Sequence, residues 1–118
     1  MATNHKQRGK VLTYANGTGA AIAAGDPVVV GARVGVALTD IANGASGELA
    51  MQEVFELPKA TGVIGQGVTV YWDADGNPVG GTSGAGAITT TSSSNTEAGY
   101  AFAAAGNTDA TVLVKLRG

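Results

Sequence analysis

The chain has 118 residues, a formal net charge of −2 and only 14% charged residues, which excludes the global basic field expected of a nucleic-acid or membrane-surface binder. It contains no cysteine, so disulfides, thiolate metal sites and cysteine nucleophiles are excluded together. With 19 glycines, many alanines and only one Trp, three Tyr and two Phe, it must build its core from side chains that bury little area each. A lone copy of such a chain is modestly stable, and association with further copies or a larger partner raises its apparent stability by mass action.

The length fits one domain, preceded by an arm. Residues 1–10, Met1-Ala2-Thr3-Asn4-His5-Lys6-Gln7-Arg8-Gly9-Lys10, are polar and basic, and residues 11–118 read as a single β domain. The basic start has no apolar stretch behind it, which argues against a secretory leader. No apolar run approaches the ~20 residues that span a bilayer, so a soluble protein is expected. His5, Lys6, Arg8 and Lys10 form the one charge cluster, with no aromatic platform before Tyr14 to stack bases. Such an arm either keeps the protein in solution or docks on a polar partner surface and orders on binding.

Beyond the arm the apolar period is two. Strands are expected over residues 11–14, 28–30 and 34–38, separated by the turn signals Asn16-Gly17, Gly25-Asp26-Pro27 and Asn43-Gly44. In residues 49–57 the odd positions Leu49, Met51, Phe55 and Leu57 are apolar, interrupted by Glu53, which predicts one long half-buried strand. Glu53 would then share an apolar face and need a partner, such as a Lys or Arg of a neighbouring copy.

Val68, Val70 and Trp72 alternate with Thr69, Tyr71 and Asp73, and the turn Asp73-Ala74-Asp75-Gly76-Asn77-Pro78 follows. Phe55, Tyr71 and Trp72 lie in these strand patterns and are expected in the core. Residues 80–95 are a Gly/Ser/Thr run with Ile88 as the one sizeable apolar side chain, read as a long flexible loop or a loop with one weak strand near Ile88. Residues 99–104 are a further strand candidate. In residues 111–117, Val112, Val114 and Leu116 fall on one face and Thr111, Leu113, Lys115 and Arg117 on the other. No window shows helical amphipathicity of useful length, so the expected fold is all-β, a small β-barrel or β-sandwich.

There is an internal echo. Gly25-Asp26-Pro27-Val28-Val29-Val30 resembles Gly67-Val68-Thr69-Val70-Tyr71-Trp72, and Gly35-Val36-Ala37-Leu38 resembles Gly99-Tyr100-Ala101-Phe102. Two related β halves would produce it, and so would chance in a chain so rich in Gly, Ala and Val.

Nothing in the sequence assembles a reaction centre, and no enzyme, cofactor or metal is expected. The single histidine, His5, lies in the arm, without the packing that a Ser-His-Asp triad requires. Ser92, Ser93 and Ser94 are a low-complexity run rather than a nucleophile elbow. Asp73-Ala74-Asp75-Gly76-Asn77 has the alternating carboxylates of a calcium loop but Gly84 where the twelfth-position glutamate would stand, so a turn is the better reading. Glu53 and Glu56 point to opposite faces of the expected strand and make no acid/base pair. Asn16-Gly17-Thr18 matches a glycosylation sequon without an export signal.

The segments Val54-Phe55-Glu56-Leu57-Pro58-Lys59-Ala60, Gly67-Val68-Thr69-Val70-Tyr71-Trp72-Asp73, Gly99-Tyr100-Ala101-Phe102-Ala103 and Thr111-Val112-Leu113-Val114-Lys115-Leu116 carry a family likeness. With the upstream Gly25-Asp26-Pro27-Val28-Val29-Val30-Gly31 and Val34-Gly35-Val36-Ala37, their order and spacing resemble the small phage and prophage capsid cement (decoration) proteins. The likeness runs from about residue 11 to the C-terminus; the Gly/Ser/Thr run of residues 80–95 is its departure.

The resemblance implies a β domain made in the host cytoplasm that binds the outer capsid surface of the virion after the shell expands. There it would reinforce contacts between major capsid protein subunits, usually as a homo-oligomer and most often a trimer. It carries no catalytic residues across. The expected capsid contacts are Thr3, Asn4, His5, Lys6, Arg8 and Lys10, together with exposed strand edges. The rival reading is a carbohydrate- or host-surface-binding β domain, with Tyr71 or Tyr100 as a sugar platform.

Overall fold

A computed structural model of the chain describes residues 11–116. Among the described residues there are nine strands and no helix: β1 (Val11–Ala15), β2 (Pro27–Val30), β3 (Arg33–Ala37), β4 (Ser46–Ala50), β5 (Val54–Pro58), β6 (Thr69–Asp73), β7 (Ala87–Thr89), β8 (Thr96–Ala101) and β9 (Thr111–Leu116). They form two curled antiparallel sheets, one of order β1-β4-β3-β2 and one of order β5-β9-β8-β6-β7. Pro27 and Pro58 both lie in edge strands, where a missing N–H removes no ladder bond.

The expected strand over residues 49–57 is two strands belonging to different sheets. The chain turns at Glu53, which takes φ +84° and accepts a 2.9 Å hydrogen bond from the Leu116 N–H through its carbonyl. A glutamate in left-handed backbone carries none of the Gly, Pro, Asn or Asp signals that mark a turn, and the odd-numbered alternation therefore ran through the break. Glu53 is exposed in that turn rather than set on an apolar face. Residues 80–95 are likewise interrupted: β7 pairs with β6, and Ile88 is fully buried.

The two sheets repeat one plan. Replacing β1, β2, β3 and β4 by β5, β6, β8 and β9 turns the first strand order into the second, with β7 added outside β6. The hydrogen bonds repeat too. Gly25 N–H donates to Ala37 O and Ala37 N–H to Asp26 O, as Gly67 N–H donates to Ala101 O and Ala101 N–H to Val68 O. The bridge between Ile22 and Ile41 has its counterpart between Ile64 and Ala105. Leu38 N–H bonds Glu48 O, and Phe102 N–H bonds Leu113 O. Chance composition does not reproduce matched registers, so the sequence echo reflects two structurally equivalent halves.

Each half has its own apolar cluster. The first gathers Ile22, Val28, Ala37, Ile41, Leu49 and Met51, with Leu12, Tyr14 and Val30 packed against it. The second is larger, including Leu57, Ile64, Val70, Trp72, Ile88, Val112, Val114 and Leu116, and it also takes in Val34 and Val36 from β3 of the first half. Ala98 is an extra residue in β8, because Val70 pairs with Gly99 but Tyr71 with Glu97, and this bulge strengthens the local twist. Bridges of Lys59 to Ile88 and of Ala60 to Pro78 bring the end of β5 round towards β7, curling the five-stranded sheet towards closure.

Among the described residues the two buried polar ones, Asn16 and Lys59, sit at equivalent places, just after β1 and just after β5. Asn16 N–H bonds Ala45 O and Lys59 N–H bonds Ala110 O. Asn16 ties its half together through its amide; Lys59 does so through Nζ, which donates to Gly106 O at 2.8 Å and to Asn107 O at 3.4 Å. Its aliphatic stem fills core volume while its head satisfies loop carbonyls.

Lys59→Ala should therefore lower the unfolding free energy by about 2–4 kcal/mol in urea titration, from the cavity and the lost charge-assisted hydrogen bonds together. Gly86, at φ +105°, lies so close to the Trp72 ring that an added Cβ would overlap it. Gly86→Ala should cost about 2 kcal/mol or more and shift the emission of the only tryptophan.

Candidate functional site

The residues singled out in the sequence scatter in the fold. Asp73, Asp75 and Asn77 do not converge on a common point. The Asp73 carboxylate accepts from Asp75 N–H at 3.1 Å, while Asn77 Oδ1 accepts from Gly84 N–H and the Ser83 hydroxyl, each at 2.8 Å. Both side chains thus serve the turn. Among the described residues no group of three or more His, Cys, Asp and Glu could hold a metal ion. Ser94 takes φ +63° in a tight turn closed by Asn95 N–H on Ser92 O, with Asn95 Nδ2 on Thr91 O. Thr3, Asn4, His5, Lys6, Arg8 and Lys10 lie outside the described residues.

Asn16 of the sequon is buried and fully engaged. Its Nδ2 donates to Ala20 O at 2.8 Å and Ile41 O at 3.0 Å, and its Oδ1 accepts from Thr18 N–H and the Thr18 hydroxyl. Its amide is a structural pin in the folded chain, not an exposed acceptor of sugar.

Trp72 is buried in the second cluster and Phe55 packs against it. Tyr71 is half-buried and lines an open cleft of about 500 Å³ with Ala32, Arg33, Asn95, Thr96 and Glu97. A second cleft, of about 290 Å³, has a largely apolar wall that includes Tyr14, Ile22, Pro27, Val28 and Trp72.

One exposed face of the second sheet gathers several large apolar side chains. Registers align Val54 with Lys115, Lys115 with Tyr100 and Tyr100 with Thr69 in one row across four strands. The adjacent row joins Glu56, Leu113 and Phe102, the last through its N–H to Leu113 O. Val54, Tyr100, Phe102 and Leu113 are all large apolar side chains left exposed here. Lys115 Nζ folds back onto Leu116 O at 3.1 Å, so its charge is tied to its own chain. Alternation had put Leu113 and Lys115 on one face; the cross-strand neighbours that make a surface of them come only from pairing. A groove of about 380 Å³ opens beside this face, lined by Gly67, Thr69, Gly99, Tyr100, Lys115 and Leu116.

An all-β chain with two clusters, satisfied turns and exposed apolar strand faces is organised to present surfaces. The family model described as phage cement protein matches residues 6–116, nearly the whole chain. The chain therefore belongs to the phage cement protein family, a structural family of capsid stabilisers associated with the virion capsid. The match begins inside the basic arm, earlier than the likeness read from the strands, and its range includes residues 80–95. No curated protein and no solved structure matches the chain.

Asn16→Ala should cost about 1–3 kcal/mol, since it removes the hydrogen bonds of a buried amide to Ala20 O, Ile41 O and Thr18. Asn16→Asp should cost at least as much near neutral pH, because a carboxylate accepts but does not donate to Ala20 O and Ile41 O. Parallel urea titrations of the two variants check both statements.

Proposed function

We propose that this protein binds the outer surface of the expanded phage head and stabilises contacts between major capsid protein subunits as a homo-oligomer, a trimer. The observation that carries this reading is the family match over residues 6–116, which includes both halves and part of the arm. In it, the β domain is the rigid body and the arm residues Thr3, Asn4, His5, Lys6, Arg8 and Lys10 are the capsid contacts. An arm that orders only on the assembled shell restricts tight binding to that shell.

The mechanism is additive. Each copy bridges neighbouring subunits weakly, and linked copies in an oligomer engage several sites at once, so avidity exceeds the affinity of any one contact. A site made from two capsid subunits exists only when their spacing is that of the expanded lattice. Low charge limits repulsion between many copies on one shell. The protein would be made in the host cytoplasm and add to heads there.

Co-sedimentation tests the reading. The full chain should pellet with purified expanded heads at a fixed copy number and ignore unexpanded ones. Removing residues 1–10 should weaken binding by about tenfold or more, as loss of a set of contact residues does. Both clusters are built from residues beyond the arm, so circular dichroism of the truncated chain should match the full chain. Failure of the full chain to bind heads, with retention on a glycan array, would sink the proposal.

A further inference from the structure

Because the two halves share strand order and register, each position in one has a counterpart in the other, and differences in exposure between counterparts are informative. In the first half one row runs Val11, Ala50, Val36, Pro27 across β1, β4, β3 and β2. Its counterpart in the second half is Val54, Lys115, Tyr100, Thr69 across β5, β9, β8 and β6. The centre of the first row is covered: Val36 is 1% exposed and belongs to the second half's cluster, and Ala50 is 3% exposed. The centre of the second row is open, with Tyr100 42% exposed and Lys115 half-buried.

The next row differs in chemistry. Glu48 of the first half is replaced by Leu113 in the second, while Leu38 and Phe102 are counterparts of nearly equal exposure, 45% and 48%. The second half thus displays an uncovered face enriched in apolar side chains, whereas the first half's counterpart row is covered at its centre, Val36 and Ala50, with Val36 sealed by the other half. Contiguous exposed apolar surface of this kind marks an interaction site.

We infer that a second copy of this chain covers the face formed by Val54, Tyr100, Phe102, Leu113 and Lys115, so that this face is the self-contact of the oligomer. A second copy is the favoured occupant because, within the chain, Val36 and Ala50, the counterparts of Tyr100 and Lys115, are covered, Val36 by the other half of this same fold. Charge agrees: the face carries Glu56 and Lys115 in adjacent rows and is close to neutral, and a chain of net charge −2 repels its copies little. Tyr and Phe supply large contact area with few rotatable bonds, as interface anchors do. The inference rests on the reading of the protein as a homo-oligomer on the head and names the surface that makes it one.

The test compares the full chain, the double variant Phe102→Ser with Leu113→Glu, and the control Leu38→Ser at the counterpart position. Light scattering after gel filtration should give an oligomer for the full chain and for the control. The double variant should be a monomer, with self-association weakened about tenfold or more. All three should show the same circular dichroism, since the substituted side chains are exposed.

A second measurement does not depend on tolerance of the double substitution. The chain has no cysteine, so Phe102→Cys and Leu38→Cys each carry a single thiol. Maleimide should modify the first more slowly than the second at oligomer-forming concentrations, and equally fast on dilution to monomer.

A double variant that keeps the oligomer mass, equal labelling of the two thiols in the oligomer, or a monomeric full chain would overturn the inference. Head co-sedimentation separates it from the cement reading. A double variant of unchanged mass that loses heads would assign the face to the capsid, overturning the self-contact while leaving the cement function intact. A monomeric double variant that still binds heads, more weakly per copy, supports both.

Discussion

Successive residues of a strand point to opposite faces, and β3 uses this to belong to two cores at once. Val34 and Val36 enter the cluster of the second half, while Ala37 lies in that of the first and Gly35 faces Leu49 and Met51. All four positions from Val34 to Ala37 are buried. The halves are thus joined through a strand buried on both faces from Val34 to Ala37. Inside the first half the packing depends on a small residue: an added Cβ at Gly35 would come within 2.7 Å of the Met51 sulfur. A glycine there, in a chain rich in Gly and Ala, is what lets Met51 of the first cluster lie this near the backbone of β3.

The equivalent halves then specialise. Each closes its loops with one buried polar side chain after its first strand, but Asn16 bonds carbonyls through an amide and Lys59 through an ammonium on a longer stem. Each has a glycine at positive φ before its second strand, Gly25 at +89° and Gly67 at +83°, where the chain must turn into the sheet. The second half adds β7, whose Ile88 is fully buried and whose bridge to Lys59 draws the sheet round. With Trp72, Leu57 and Ile64 it holds the larger cluster. The first half contributes β3 to its neighbour and keeps the smaller core.

Much of the architecture was legible because the apolar period is two and the turns carry their usual residues. Positions of β1, β2, β6 and β9 follow from alternation bounded by Asn16-Gly17, Gly25-Asp26-Pro27 and Asp73-Ala74-Asp75-Gly76. The separation of β4 from β5 was not legible, since Gln52 and Glu53 give no turn signal and Glu53 adopts φ +84° only under tertiary constraint. The bulge at Ala98 was hidden too, because an extra residue in a strand leaves no mark until its partner is known. As for the surface, exposure of Leu113 followed from its alternation with Val112 and Val114. Its grouping with Phe102 and Tyr100 needed strand order, which local pattern does not encode. The family was legible because several short segments in fixed order are more specific than any one alone.

A duplicated half-module also bears on how a cement protein meets symmetric surroundings. Two equivalent halves that pack on each other through non-equivalent surfaces leave a chain with unlike ends: Val36 is covered while its counterpart Tyr100 is not. Contacts between unlike surfaces propagate from copy to copy and close into a ring when the rotation permits. In the proposed oligomer, the open centre of the second half's row at Tyr100 is where a neighbouring copy would sit as the other half sits on Val36. Small side chains limit what one copy can bury at about 25 cal/mol per Å². In the proposed assembly, the apolar area left open on the second sheet would be buried between copies, and mass action on a crowded shell would favour the bound form.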